Sequence, residues 1–129
     1  MQDQPNPSEV ITAVARFLKT EVAPATEGRL SFQARVAANA LEMMARQLEL
    51  APAEDAAELA RLKSLLGQDG DLATLNAELS RRIQTRELDL STPGLTDHLW
   101  AITLAKLAVD QPTYAAYRAS LAERVPPTT

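Results

Sequence analysis

His98 is the only histidine in the chain and its clearest candidate for chemistry. It follows Asp97 and lies among Leu95, Leu99 and Ile102, which recur at helical spacing. An imidazole in such a place can act as a general base or as a metal ligand. A metal site would need a carboxylate or second imidazole three or four residues away on the same helix, and those positions hold Gly94, Leu95, Ala101 and Ile102. A serine triad would need a glycine-flanked nucleophile turn, which the chain lacks. The competing reading is a partly buried histidine bonded to a backbone carbonyl or to Asp97. The sequence therefore assigns no catalytic residue, no metal site and no cofactor.

Lys106 is the second candidate. On a helical wheel it falls at the centre of the face formed by Leu95, Leu99, Ile102 and Val109. A lysine there must reach out to water, pair with a carboxylate, or give up its proton more readily. Asp110, four residues on, is an available partner. Paired, the two make an internal salt bridge; unpaired, Lys106 becomes an anion-binding group for a phosphate or carboxylate. Arg35, Asn39 and Arg46 form a ridge on an earlier helix, with Glu42 placed to pair with Arg46. Asn39 borders the Phe32, Val36 and Met43 stripe, where it can bind a loop's backbone or a ligand. Tyr114 and Tyr117, with Arg118, read as core residues whose hydroxyls reach the surface. The candidate ligand-binding set is Arg35, Asn39, His98, Lys106, Asp110 and Tyr114.

The elements that must position these groups are helices. The chain holds 23 Ala and 19 Leu among 129 residues but only 4 Gly, a balance that favours helix over strand. No segment shows convincing strand alternation. The expected fold is all-α: a single-domain bundle of about six mostly antiparallel helices with two central ones, ordered over about residues 6–124, with a frayed tail over 125–129. Asn6, Pro7 and Glu9 read as a capping box opening the first helix, which Pro24 ends. The second helix is expected over about 27–50. Leu30, Ala34, Ala37, Leu41, Met44 and Leu48 form one apolar stripe on it, and Phe32, Val36, Met43 and Leu50 a second. A helix apolar over so much of its circumference calls for at least two neighbours. Pro52 is expected to restart the chain in a third helix closed by Gly67. Asp71 caps a fourth helix, which ends near Arg86. Leu88 and Leu90 anchor a connector, and Thr92 and Pro93 open a fifth helix over about 93–109. A sixth helix follows Pro112 and packs inward through Tyr114, Tyr117 and Leu121.

Composition removes several function classes. There is no cysteine, hence no disulfide framework, thiolate metal site or cysteine nucleophile. Charged residues at 23% and hydrophobic ones at 46% are globular values. A net charge of -4 argues against nucleic acid or an anionic membrane held by general electrostatics. No stretch is apolar enough to span a membrane, and residues 1–6 carry neither the basic nor the apolar run of a secretory signal. A cytoplasmic location is expected. The loop Asp69-Gly70-Asp71 is too short for a calcium site. The same acids, ahead of a helix ending in Arg81, Arg82 and Arg86, are wrongly placed for a groove-reading helix.

Several blocks carry a resemblance. They are Arg29-Leu30-Ser31-Phe32, Arg35-Val36-Ala37-Ala38-Asn39, Leu65-Leu66-Gly67-Gln68-Asp69-Gly70, Leu75-Asn76, His98-Leu99 and Lys106 through Pro112 with Tyr114. Over about residues 2–118 the chain resembles a family of short bacterial proteins known as a domain of unknown function. It departs from the family's pattern at Gln84-Thr85-Arg86, where an Arg and a Gly are expected. The resemblance implies genes lying beside acyl-CoA dehydrogenase-like flavoenzymes and aminoglycoside-phosphotransferase-like kinases. It implies, in turn, a non-catalytic accessory role in acyl-CoA or carboxylic-acid catabolism, with one of those enzymes as protein partner. The alternative is a protein that binds an acidic or acyl-thioester ligand through Lys106, Arg35 and Asn39. Self-association is open as well, because a helix apolar on two faces can bury one against a second copy.

Overall fold

A computed structural model describes residues 4–123, and among them it is all-helical. Its elements are α1 (Pro7–Phe17), a π-helical turn (Leu18–Val22), α2 (Gly28–Leu66), α3 (Leu72–Gln84), α4 (Leu95–Asp110) and α5 (Ala115–Glu123). The expected tail lies outside the described residues. The contacts divide the chain into two units, one up to Ala51 and one from Pro52 onward.

In the first unit α1 opens as its sequence dictates. The Asn6 side chain accepts from Glu9 N at 2.9 Å, and Glu9 Oε2 accepts from Asn6 N at 2.8 Å, which satisfies two donors that a helix start leaves bare. The N-terminal part of α2 returns antiparallel to α1. Ser31 Oγ donates to Ala23 O (2.8 Å), Lys19 Nζ to Glu42 Oε1 (2.8 Å) and Ser8 Oγ to Glu49 Oε1. The residues buried here are small: Ser8, Ala15, Ala23, Ser31, Ala34, Ala38 and Ala45. Methyl groups at this spacing let backbones approach closely, but they withdraw little apolar area from water. The two stripes expected to be covered are so only at Ala34 and, in part, at Leu41. Leu30, Met44 and Leu48 are exposed, and so are Phe32, Val36, Met43 and Leu50.

The second unit has a leucine core. Leu62, Leu66, Leu75, Leu79 and Leu95 are buried, with Leu59, Leu65, Leu72, Leu88 and Leu99 packed against them. Asp71 caps α3 by accepting from Thr74 N at 2.7 Å. Gly67, with φ of 66°, follows the last residue of α2, a left-handed position that glycine fills without a Cβ clash.

Five expectations change. There are five α-helices among the described residues rather than six, because α2 runs unbroken for 39 residues with Pro52 inside it. Proline removes one rung of the helix by lacking an N–H. Pro52 and Leu48 are both exposed, so water can take the freed carbonyl, and Ala51, Ala53 and Glu54 hold the helical path. The fifth expected helix starts two residues later than the proline suggested. Its N-cap is Gly94, while Thr92 Oγ1 accepts from Asp89 N (3.0 Å) in the preceding turn. Leu90 does not anchor the connector; it is 81% exposed. Tyr114 and Leu121 do not pack inward either, being exposed, and of that group only Tyr117 is partly buried. The apolar face of α4 is also rotated from the expected one, with consequences for the site.

Candidate functional site

Along α4 the buried residues are Leu95, His98, Leu104 and Val109. The burial centres on His98, Ile102, Ala105 and Val109, leaving Lys106 at the margin, exposed. The alanines explain the rotation. Ala101 and Ala105 weigh little in a count of large apolar residues, yet a helix face carrying them lies closest to its neighbours. His98, not Lys106, is therefore the polar residue on the buried face.

His98 is 1% exposed, and neither ring nitrogen has a hydrogen-bond partner. The expected bond to a carbonyl or to Asp97 is not made. Burial first, and the positive charge of Arg61 second, push its pKa below the ordinary 6.5, against the opposing influence of Glu58. The ring is thus held neutral, with one nitrogen able to donate and the other to accept.

Arg61 stands on α2, one turn beyond Glu58. Its Nε is also buried without a partner. Glu58 has a partner on another helix: its Oε1 accepts from Asn76 Nδ2 at 2.7 Å, and Asn76 Nδ2 also donates to Leu72 O at 3.1 Å. Buried polar atoms left bare in this way are uncommon and call for an explanation.

The two residues share a cleft of about 470 Å³ lined by Arg61, Ser64, Leu65, Thr92, Pro93, Gly94, Asp97 and His98, a size common for small-molecule sites. The start of α4 forms its rim. Gly94 has φ of 84°, and no side chain caps the helix; Leu95 N–H donates to Thr92 O at 3.2 Å, which leaves the N–H groups of Thr96 and Asp97 without a capping side chain. A helix start of this kind favours negative charge. Arg61, the neutral His98 imidazole and the amides at the start of α4 offer donors to an oxygen ligand, beside the Asp97 carboxylate that lines the same cleft. No nucleophile–base pair is assembled, because His98 bonds neither Ser64 nor Thr92 nor Asp97. Among the described residues no group of three acidic or histidine side chains could hold a metal ion.

Of the six residues singled out by sequence, His98 is the one that lines this cleft. Arg35 and Asn39 belong to the first unit and are exposed on α2. Lys106, Asp110 and Tyr114 belong to the second and are exposed. Glu42 accepts from Lys19. Sequence reasoning did not single out Arg61; the available signal was Asn76 on α3, whose amide donates to Glu58, one turn before Arg61 on α2.

No curated protein and no solved structure matches the chain. A family model described as domain of unknown function (DUF6285) matches residues 24–114, a span that contains Arg61, Asn76, Gly94 and His98. The chain belongs to the DUF6285 family.

Proposed function

We propose that the protein is a non-catalytic accessory protein that binds a small ligand through a carboxylate at the Arg61–His98 cleft. The observation that supports this is the set of three buried nitrogens without partners, Arg61 Nε and both nitrogens of His98. A carboxylate offers two oxygens with several lone pairs, enough to accept from a guanidinium and an imidazole together. Thr92 and Ser64 can add hydroxyl contacts, and Leu65 and Pro93 supply apolar wall for a short chain. This replaces Lys106, Arg35 and Asn39 as the proposed binding groups. The reading takes in the setting that the sequence resemblance implies: a bacterial cytoplasmic protein serving an acyl-CoA dehydrogenase-like or kinase-like enzyme, with a free carboxylic acid as ligand class.

The test is a thermal-shift titration with hexanoate, inorganic phosphate and coenzyme A, since a ligand that binds the native state raises apparent stability. Hexanoate is expected to raise Tm in the parent protein and in Lys106→Ala, and to lose that effect in Arg61→Met and His98→Leu. Silence toward hexanoate up to about 10 mM, or an undiminished shift in Arg61→Met, refutes the reading. A response to phosphate or coenzyme A but not hexanoate refutes the carboxylate assignment.

A further inference from the structure

The α1–α2 hairpin of the first unit carries an apolar surface that the packing within that unit does not cover. Val10 and Val14 are each 45% exposed and Phe17 56%; on α2 Leu30 is 57%, Met44 47% and Leu48 45% exposed. Helical geometry places the six together. Residues advance about 100° around a helix. The Val10/Val14/Phe17 line sits about 110° from the covered side of α1, marked by Ser8, Ile11, Ala15 and Leu18. The Leu30/Ala37/Met44/Leu48 line is displaced by about 75°, in the same sense, from α2's buried Ala34/Ala38/Ala45 line. In antiparallel helices displacements of the same sense turn both lines toward one broad side of the pair. The Lys19–Glu42 salt bridge closes the opposite side.

The charges of α2 agree. From Leu30 to Ala51 they are Arg35, Glu42, Arg46 and Glu49, and on the wheel all four cluster within about 60°, away from the apolar lines. On α1 between Val10 and Phe17 the one charge, Arg16, also falls away from the apolar line.

We infer that this side is a homodimer interface, with the α1–α2 hairpin of a second copy stacked on it as a four-helix arrangement. Two features choose a second copy over an unlike partner. A charge-free surface meets itself across a two-fold axis without bringing like charges together. The area also fits. At the exposures above the six side chains leave roughly 500 Å² of apolar surface in water, which is the apolar share of the roughly 800 Å² each partner gives to a standard interface. The inference stands apart from the ligand reading, whose cleft belongs to the second unit.

The test is the mass of the full chain in solution by sedimentation equilibrium. The expected species is twice 14.0 kDa. Val14→Glu and Met44→Glu should each weaken dimerisation at least about 100-fold, because each buries a charge without a partner. Phe32→Ser, on another face of α2, should leave the dimer intact. Far-UV circular dichroism checks that helicity survives. Should a glutamate variant lose helicity, Val14→Gln and Met44→Gln take its place, with a weakening of at least about 10-fold. A monomer at about 100 µM overturns the inference. So does a dimer unmoved by folded variants at both Val14 and Met44, or one abolished by Phe32→Ser.

Discussion

Asn76 Nδ2 donates to Glu58 Oε1 across 2.7 Å, holding one oxygen of the carboxylate that stands one turn before Arg61 on α2. Asn76 does not line the cleft, but through this bond it fixes the acid closest in sequence to the guanidinium. Replacing Asn76 by Leu releases Glu58, which then pairs with Arg61. We expect about 1 kcal/mol of lost stability from the missing hydrogen bond, and a hexanoate affinity reduced about 10-fold or more through competition from Glu58. In the double variant Asn76→Leu with Glu58→Gln the affinity should recover. Isothermal titration of the three proteins decides the point, and failure of the double variant to recover disproves the coupling.

His98 is held neutral and unsatisfied, so the fold should gain from its removal. His98→Leu is expected to stabilise the protein by about 1–3 kcal/mol, the cost of burying polar atoms without partners, while abolishing the carboxylate response. The pH dependence follows from the lowered pKa. Below the ordinary 6.5 the unfolded chain binds a proton that the folded ring resists, so the parent's stability falls as pH drops from there. Urea denaturation between pH 7.5 and pH 5 should show that slope in the parent and its loss in His98→Leu.

Glu78 accepts from Arg81 and Arg82, and these bonds, Arg81 first, lower its pKa from 4.5 to about 2. A carboxylate with a depressed folded pKa contributes its stability above the unfolded value. That contribution is lost as pH falls from 4.5 toward 2. Glu78→Gln should be less stable than the parent at pH 6, with the difference shrinking toward pH 2.5. A difference that holds constant across that range would contradict the assignment.

Arg86 has φ of 60°, a left-handed conformation that glycine adopts without a Cβ clash. Its N–H donates to Ile83 O (3.1 Å) and that of Glu87 to Arg82 O (2.9 Å), the paired bonds of a left-handed helix ending. A side chain costs about 1 kcal/mol in this conformation. Arg86→Gly should therefore raise Tm by about 4 °C, measured by calorimetry.

The fold was legible wherever one residue had one local job: the Asn6–Glu9 box, the Asp71 cap, Gly67 after α2, the leucine core. It was misread where a local rule met a strong neighbour. Pro52 reads as a break, but the helix formers around it and its exposed position make an interior proline tolerable. The site was half legible. His98 stood out as the lone imidazole, while Lys106 drew attention that belonged one helical position away, because wheel arguments weight large side chains and overlook alanine. Arg61 escaped because the bond that fixes Glu58 comes from Asn76, a residue of another helix, and no pattern local to α2 records it.

The seam between α1 and α2 has a consequence for the long helix itself. Its N-terminal part is backed by methyl groups at Ala34, Ala38 and Ala45, its C-terminal part by a cluster of leucines around Leu62 and Leu66. Opening the first releases little apolar area; opening the second releases a core. One continuous run of helical amides should then split into two protection classes in hydrogen exchange, with those around residues 34–45 exchanging well before those around 59–66. Regular geometry along a helix does not carry uniform stability with it.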